Sequence, residues 1–343
     1  MSDSLSTTSN KSATGERIVP RELEPLDPQL TWTQPGSGII VHLELFWGKI
    51  RRVWLKTFRR GYVRRMTETR QGQTNGAPIE ILDPRDLKYY RNQPGYWWKK
   101  EDDPFQWREK IPFARWGLAE LFVFSLICFG GAGVCCWLAG MEGVSAVGRW
   151  VGHLSATTLT VIGILIVWFF RDPPRKVPQE EGIVIAPADG KVVEVVELEH
   201  HEFIGGPAVQ IGIFLSIFNV HINRMPASGR VIGVGYTPGK YLNALRPESA
   251  RENERVEIRM EQRGEPHRGM VVRQITGAIA RRIVCDLKPG DVLEIGEKLG
   301  MIKLGSRTEL LMPQEEGLQI LTKPGDKIKA GLSILARYTG EQT

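Results

Sequence analysis

Three short stretches of the 343-residue sequence carry side chains that could do covalent or acid–base chemistry. The first is Gly305-Ser306, which lies between two apolar runs near the end of the chain. Because glycine does not shield its carbonyl, the Ser306 hydroxyl can attack it when the backbone is strained, and the amide becomes an ester. Elimination across the Cα–Cβ bond of Ser306 then breaks the chain, and hydrolysis leaves a pyruvoyl group on the new N-terminus. Taken alone, a Gly-Ser pair is more typical of an ordinary turn.

The second stretch is 220–224, where polar and apolar residues alternate. In an extended segment His221 and Asn223 share one face, while their apolar neighbours point to the core. A histidine there can take a proton from a serine hydroxyl and later return one to a carbanion. Arg224 can bind a phosphate group. A lone histidine on a strand is more often structural, so that alternative stays open.

The third stretch is 186–191, which places Asp189 and Gly190 between two predicted strands. An Asp-Gly pair is a common hairpin turn, and by itself it indicates no more than that.

The C-terminal half of the chain must position these residues, and its pattern is that of strands. From Gly182 onward, short apolar runs alternate with Gly, Pro and Asp, which predicts a mainly β domain with a sandwich-like or barrel-like core. Residues 288–296 are echoed by residues 323–331, each with Lys-Pro-Gly-Asp followed by a short run and a second glycine. With the helices predicted below, the fold class is α+β overall.

The N-terminal half has a different composition. Residues 1–36 are rich in Ser, Thr, Pro and Asn and predict a disordered tail, without the pattern of a signal peptide. Residues 37–116 mix aromatic and basic side chains, which is typical of a membrane-surface region, although a nucleic-acid surface would look similar. The four cysteines form no CxxC pair, which argues against a zinc site or a disulfide framework.

Residues 117–170 contain two apolar runs, each long enough to cross the ~30 Å hydrocarbon core of a bilayer as a helix. Basic residues before and after the pair, such as Arg115 and Arg171, outnumber the one in the connector, Arg149. The positive-inside rule therefore predicts a transmembrane helical hairpin with both chain ends in the cytoplasm. A buried hairpin of a soluble protein is the alternative.

Five motifs, taken in order, resemble the phosphatidylserine decarboxylases, which are made as self-cleaving proenzymes. They are Arg171–Arg175, Ala188-Asp189-Gly190, Phe218–Arg224, Gln274–Arg282 and Leu304–Arg307. The resemblance covers roughly residues 160–340. Many bacterial members carry two histidines where this chain has only His221, with Arg224 near the second place, so the chain is most similar to the shorter branch of the family.

The resemblance implies specific roles for the site residues. Residues 182–343 are expected to form a pyruvoyl decarboxylase domain that cleaves itself between Gly305 and Ser306. The catalytic residues would be Ser306, His221 and Asp189, and Asn223 and Arg224 would bind substrate. The pyruvoyl group made from Ser306 is the implied cofactor, and no metal is implied.

The implied reaction is decarboxylation of phosphatidylserine to phosphatidylethanolamine through a Schiff base between the substrate amine and the pyruvoyl group. The expected partners are phosphatidylserine in the bilayer, the membrane itself and the cleaved small chain 306–343, with no nucleic acid. The expected location is the inner cell membrane, with the catalytic domain in the cytoplasm. Two alternatives stay open, a membrane-tethered β domain that only binds lipid headgroups and a decarboxylase of a related aminophospholipid. A homo-oligomer is one option for the quaternary state.

Overall fold

The computed structural model describes residues 19–30, 39–70, 75–246, 248–278, 282–303 and 305–339. The chain divides into two units. A helical unit comprises Trp32–Pro174 and Ile217–Ile222, and a β unit comprises Met1–Thr31, Arg175–Ser216 and Asn223–Thr343. The fold is therefore α+β, with antiparallel sheets and two long apolar helices.

Where the structure describes it, the helical unit has five helices: α1 (Ile39–Phe58), α2 (Arg60–Arg70), α3 (Pro84–Tyr90), α4 (Leu118–Ala139) and α5 (Ala146–Phe169). Three short 3₁₀ turns cover Lys100–Asp102, Gln106–Lys110 and Arg115–Gly117. The start of α3 is fixed by Asp83, whose carboxylate accepts a hydrogen bond from Arg85 N, and by Pro84 at the first helical position. A small core that includes Leu55, Ile81 and Leu82 joins these N-terminal helices.

The long helices α4 and α5 pack closely against each other. A Cβ built on Gly152 would lie 2.7 Å from the Ala139 Cβ, and one built on Gly163 would lie 2.8 Å from the Phe129 ring, so glycine allows the approach. The helices run antiparallel, and α5 begins at Ala146 because Ser145 caps it, its hydroxyl accepting a bond from Gly148 N. Both helices are long and apolar enough to cross a membrane, by length and composition alone.

The described residues of the β unit form fourteen strands in three sheets, and one short helix, α6 (Ser249–Glu252). The strands are β1 (Ile183–Ile185), β2 (Gly190–His201), β3 (Gly206–Leu215), β4 (Ile222–Arg224), β5 (Gly229–Thr237), β6 (Arg255–Gln262), β7 (Gly269–Ile275), β8 (Arg282–Val284), β9 (Val292–Leu293), β10 (Lys298–Lys303), β11 (Ser306–Pro313), β12 (Leu318–Ile320), β13 (Lys327–Ile328) and β14 (Ile334–Tyr338).

The strand order of the largest sheet places β11 near its middle. The order is β13-β2-β3-β11-β7-β6-β5-β9, and two smaller sheets have the orders β1-β14-β12 and β4-β10-β8. Ser306 lies opposite Leu215 of β3, and Arg307 lies opposite Ile275 of β7. One apolar core includes side chains from all three sheets, among them Leu310, Ile302 and Leu335. The strand that begins with Ser306 is therefore paired on both sides.

The internal repeat predicted from the sequence has matching geometry in its two copies. Asp291 accepts a hydrogen bond from Lys288 N at 3.1 Å, and Asp326 accepts one from Lys323 N at 2.9 Å. Each aspartate thus closes its own Lys-Pro-Gly-Asp turn.

The tail prediction is wrong for the part of residues 1–36 that the structure describes. Leu30 is buried in the main core, Glu24 forms an ion pair with Arg259, and Arg21 forms one with Glu261 at 3.3 Å. These few contacts hold residues 19–30 against the β unit. The polar composition of the segment gives no sign of them, because they involve only a few side chains. Residues 1–18 and 31–36 lie outside the described residues.

Candidate active site

The Gly305-Ser306 pair lies at the start of β11. Gly305 has a φ of +63°, a left-handed conformation that favours glycine, and the next residue enters a regular strand. Ser306 is fully buried, and its Oγ has no hydrogen-bond partner within the part of the chain that the structure describes. A buried hydroxyl without a partner is uncommon and is a reason to expect a chemical role. Leu304, the residue before the pair, lies outside the described residues.

The carbonyl of Gly305 rests against Gly277, just after the end of β7. A Cβ built on Gly277 would lie 2.3 Å from the Gly305 oxygen and 3.3 Å from the Ala244 Cβ, so only glycine fits there. The backbone at this point is held by Thr276, whose N and Oγ1 both donate to the carbonyl of Glu254, at 3.0 and 3.1 Å. The Gly305 carbonyl is therefore confined by a tightly held segment of backbone.

A buried polar network occupies the face of β11 that Ser306 shares with Thr308, because residues two apart on a strand point the same way. Asn223 Nδ2 donates to Thr308 Oγ1 at 3.0 Å, and Gln274 Nε2 donates to Asn223 Oδ1 at 2.8 Å. All three side chains are fully buried. The network joins β4, β7 and β11. It therefore holds β11 in place at Thr308, two residues after Ser306.

Asp189 lies in the predicted turn before β2, and its carboxylate is engaged on two sides. Arg175 Nη2 donates to both carboxylate oxygens, at 2.9 and 3.1 Å, and Ala330 N donates to Oδ1 at 2.8 Å. Arg224 N donates to the Pro187 carbonyl at 2.8 Å. The end of the 220–224 segment therefore lies against the 186–191 turn that carries Asp189. The Arg224 guanidinium donates to the Gly296 carbonyl at 3.0 Å.

His221 is buried and belongs to the helical unit. Its Nδ1 lies 2.9 Å from the Asn219 carbonyl oxygen. Because a carbonyl only accepts, Nδ1 carries the proton of the neutral ring and Nε2 is the basic nitrogen. Burial is the main cause that lowers the pKa of His221; the Asn219 bond opposes the shift and the charge of Arg171 adds to it, and the net pKa is about 4. The imidazole is therefore neutral at pH 7 and able to accept a proton.

The other face of β11 carries a buried group of charges. Arg307 forms an ion pair with Glu309 at 2.9 Å on the same strand and another with Glu194 of β2, and Arg273 of β7 lies 3.6 Å from Glu309. Burial raises the pKa of Glu309, while Arg307 and Arg273 oppose that shift. These ion pairs link β11 to strands on both sides.

The structure thus joins some of the predicted site residues and adds others. Asn223 reaches the strand of Ser306 through Thr308, whereas the described contacts of Asp189 are with Arg175 and Ala330. Sequence reasoning assigned no role to four residues that the geometry singles out, namely Arg175, Gln274, Gly277 and Thr308. The signal for Thr308 was its spacing of two from Ser306. Among the described residues, no group of three or more His, Cys, Asp or Glu side chains could hold a metal ion.

Comparisons with known proteins converge on one family. The family model for phosphatidylserine decarboxylase matches residues 162–336. The phosphatidylserine decarboxylase proenzyme of Rhodopirellula baltica is 50% identical over 252 residues, which is 74% of this chain and 99% of that protein. Those of Carboxydothermus hydrogenoformans and Magnetococcus marinus are 42% and 38% identical, over 56% and 60% of this chain and 86% and 91% of their own lengths.

Proposed function

The chain belongs to the phosphatidylserine decarboxylase family, and we propose that it makes its pyruvoyl group from Ser306 by cleaving the bond to Gly305. It is a pyruvoyl-dependent lyase that converts phosphatidylserine to phosphatidylethanolamine. The observation that supports Ser306 most strongly is its buried Oγ, which has no partner among the described residues and follows a glycine in a left-handed conformation.

Self-cleavage begins when Ser306 Oγ attacks the Gly305 carbonyl carbon. The hydroxyl proton passes to a base, the C–N bond breaks, and an ester joins Gly305 to the Ser306 side chain while the amine of residue 306 becomes free. Loss of the Ser306 Cα proton then expels the Gly305 carboxylate. The resulting dehydroalanine tautomerises to an imine, which takes up water and releases ammonia to leave the pyruvoyl group.

His221 is the proposed base for proton transfer. A neutral ring with its proton on Nδ1 has a basic Nε2, which suits a group that removes a proton at pH 7. It lies two residues before Asn223, which contacts the strand of Ser306 through Thr308. Asp189 is proposed as a supporting residue. It has a buried ion pair with Arg175, so its charge is balanced by that guanidinium.

When formed, the pyruvoyl group supplies an electron-poor ketone that condenses with the substrate amine and accepts the electrons released with carbon dioxide. The residues around Ser306 suit such a group, because the site is buried and the Gly305 side is confined by Gly277. The proposed substrate-binding residues are Asn223 and Arg224. Arg224 carries the guanidinium that would bind the lipid phosphate.

The small chain 306–343 is proposed to stay bound after cleavage. Its first strand, β11, is paired with β3 on one side and β7 on the other. The ion pairs of Arg307 and Glu309 add contacts to Glu194 of β2, beyond β3, and to Arg273 of β7. Cleavage and pyruvoyl formation remove only the backbone nitrogen of residue 306 from this strand, so the pairing of residues 307–313 and the ion pairs remain.

We propose that α4 and α5 cross the membrane as a hairpin, with the β unit in the cytoplasm. Large apolar side chains along both helices are exposed, among them Phe122, Leu126, Trp150 and Leu154. Exposed surfaces of this kind are costly in water, and lipid removes that cost. The orientation follows from the basic residues that flank the pair, and the inner cell membrane is the proposed location.

Ser306→Ala tests the proposed function, since it removes the attacking hydroxyl and little else. The variant should remain one full-length chain and release no carbon dioxide from vesicles that contain phosphatidylserine, while the wild-type chain cleaves and does. Ser333→Ala, in the same small chain, is the control and should behave as wild type. A Ser306→Ala protein that still cleaves at this bond would rule out the acyl shift.

A further inference from the structure

The longest helix of the N-terminal region, α1, has an exposed apolar face. Its large exposed apolar side chains recur every three or four residues, so they share one side of the helix over an arc of about 140°. They are Ile39, Leu43, Phe46, Trp47, Ile50, Val53, Trp54 and Phe58. Phe46 and Phe58 are 63% and 70% exposed, which is unusual for phenylalanine and shows that no described part of the chain covers this face.

The opposite side of α1 is already used for packing. Val41 and Leu55 are buried there, and Glu44 forms an ion pair with Lys88 of α3 at 2.6 Å. The helix therefore cannot turn its exposed face inward without losing a buried charge pair. The eight side chains, which we call the outer face of α1, are left for a partner outside this chain.

Basic residues surround the outer face. Residues 39–70 contain nine Lys or Arg side chains and two Glu side chains. Within this described segment, Lys49, Arg59, Arg60, Arg64 and Arg65 are exposed and have no ion pair. Between the end of α1 and α2, a shallow groove of about 480 Å³ is lined by Lys56, Arg60, Val63, Arg64, Thr67 and Glu68. Three cations and one anion line this groove, so it favours an anionic group.

We propose that the outer face of α1 lies in the interfacial layer of a bilayer and that the cations beside it bind anionic phospholipid headgroups. Side chains of this kind insert about 5–10 Å into the boundary between headgroups and acyl chains, and the cations add attraction to anionic lipid. The helix also contacts α4, which is one of the two helices apolar enough to span a membrane.

A nucleic acid fits this surface less well. Aromatic side chains can stack on bases, but half of the outer face is aliphatic, namely Ile39, Leu43, Ile50 and Val53. Aliphatic side chains cannot stack on bases, and transfer from water into the hydrocarbon of a bilayer stabilises them most. The surface lies outside the segment matched by the family model, so this is a role for the N-terminal region and not for the decarboxylase domain.

The consequence for the enzyme is local enrichment of its substrate. Phosphatidylserine carries a net negative charge, so a basic surface next to the membrane raises its concentration near the protein. This inference rests on the proposed substrate but not on the chemistry at Ser306.

Depth measurements on the full chain test the proposal. Nitroxide labels are placed at Phe46, Ile50 or Val53 in a background without the native cysteines, in vesicles with and without about a third of phosphatidylglycerol. Labels at Leu126 and Lys323 serve as lipid and water references. Oxygen concentrates in the bilayer, whereas a nickel chelate stays in water. Labels on the outer face of α1 should therefore collide more often with oxygen than with the chelate, as the label at Leu126 should. Labels that behave like Lys323 would overturn the proposal, and so would labels protected only when single-stranded RNA is added.

The charge component is tested by Arg60→Gln with Arg64→Gln, and the matched control is Lys323→Gln with Lys327→Gln on the β unit. The quantity compared is kcat/KM with phosphatidylglycerol divided by kcat/KM without it. In the Arg60→Gln, Arg64→Gln variant this ratio should be up to about 30-fold lower than in the wild type, which corresponds to about 1 kcal/mol for each cation. The control should not change, and kcat in detergent micelles should stay the same in both. Cleavage at Gly305 is checked first, so a failure of the proposed function is seen separately. An unchanged ratio in the first pair would contradict the proposed headgroup binding.

Discussion

Gly277→Ala is expected to stop or greatly slow self-cleavage without unfolding the protein. The added methyl carbon would lie 2.3 Å from the Gly305 carbonyl oxygen, whereas ordinary contacts of this type are 3.4–4 Å, so one of the two must move by about 1 Å. The methyl group cannot easily retreat, because the Ala244 Cβ would be 3.3 Å away. A displacement of about 1 Å of a reacting group can cost about 10²-fold in rate.

The fold should survive this change. Overpacking at a buried site costs about 1–3 kcal/mol, which is less than the about 5–15 kcal/mol by which typical domains are stable. The effect on cleavage should therefore be larger than the effect on stability. The melting temperature of Ser306→Ala, compared with that of Ser306→Ala combined with Gly277→Ala, gives the stability cost in a chain that cannot cleave.

Cleavage is followed after pulse-labelled cell-free synthesis, by the conversion of the full-length chain to two fragments on a denaturing gel. The rate constant of Gly277→Ala should be at least about 100 times lower than that of the wild type. Ala278→Ser, an exposed neighbour, is the control and should cleave normally. Hydroxylamine, which cuts esters, should not cleave the variant, because the block precedes the acyl shift. A wild-type rate in Gly277→Ala would show that the position of the carbonyl against Gly277 does not matter.

Three further predictions concern the proton-transfer groups and the topology. His221→Ala should lose at least about 100-fold in decarboxylation or fail to mature, since acid–base catalysis typically contributes 10²–10⁴-fold, and near wild-type rates in both steps would exclude His221. The pKa of His221 is lowered to about 4 in the folded protein, so protonation of its ring favours the unfolded state. The melting temperature of Ser306→Ala should therefore fall as the pH is lowered from 6.5 to 4. Adding His221→Gln should make that fall smaller. In a cysteine-free background, an impermeant reagent added outside the cell should label a cysteine at Val144 but not one at Ser333, and the reverse pattern would mean an inverted topology.

The local motifs of the site could be predicted from the sequence, but most of the long-range contacts between them could not. The Gly-Ser pair and the alternation around Asn223 were visible because each depends on neighbours in the chain. The contact between Asn223 and Thr308 joins residues 85 positions apart, and it depends on strand register that a single sequence does not contain. The same holds for the approach of Gly277 to Gly305, which lie just beyond Ile275 and Arg307 at the end of the pairing between β7 and β11.

Two features that the sequence did not predict have a clear physical origin. The described part of the N-terminal tail is ordered because one leucine and two ion pairs hold it, and such sparse contacts leave no periodic pattern. The ion pair of Asp189 with Arg175 was also not visible in the sequence; the buried carboxylate needs a cation, and Arg175 supplies it. The role of Asp189 in catalysis stays a prediction.

The mass of the purified protein under denaturing conditions tests self-cleavage at Ser306 most directly. Two fragments are expected, the smaller being residues 306–343 with a pyruvoyl group that blocks Edman sequencing at its N-terminus. Treatment with ammonia and cyanoborohydride should convert that group to alanine and open the fragment to sequencing from Arg307 onward. A single chain of 38.6 kDa in an active preparation, or a smaller fragment with a free serine at its N-terminus, would contradict the proposed origin of the pyruvoyl group.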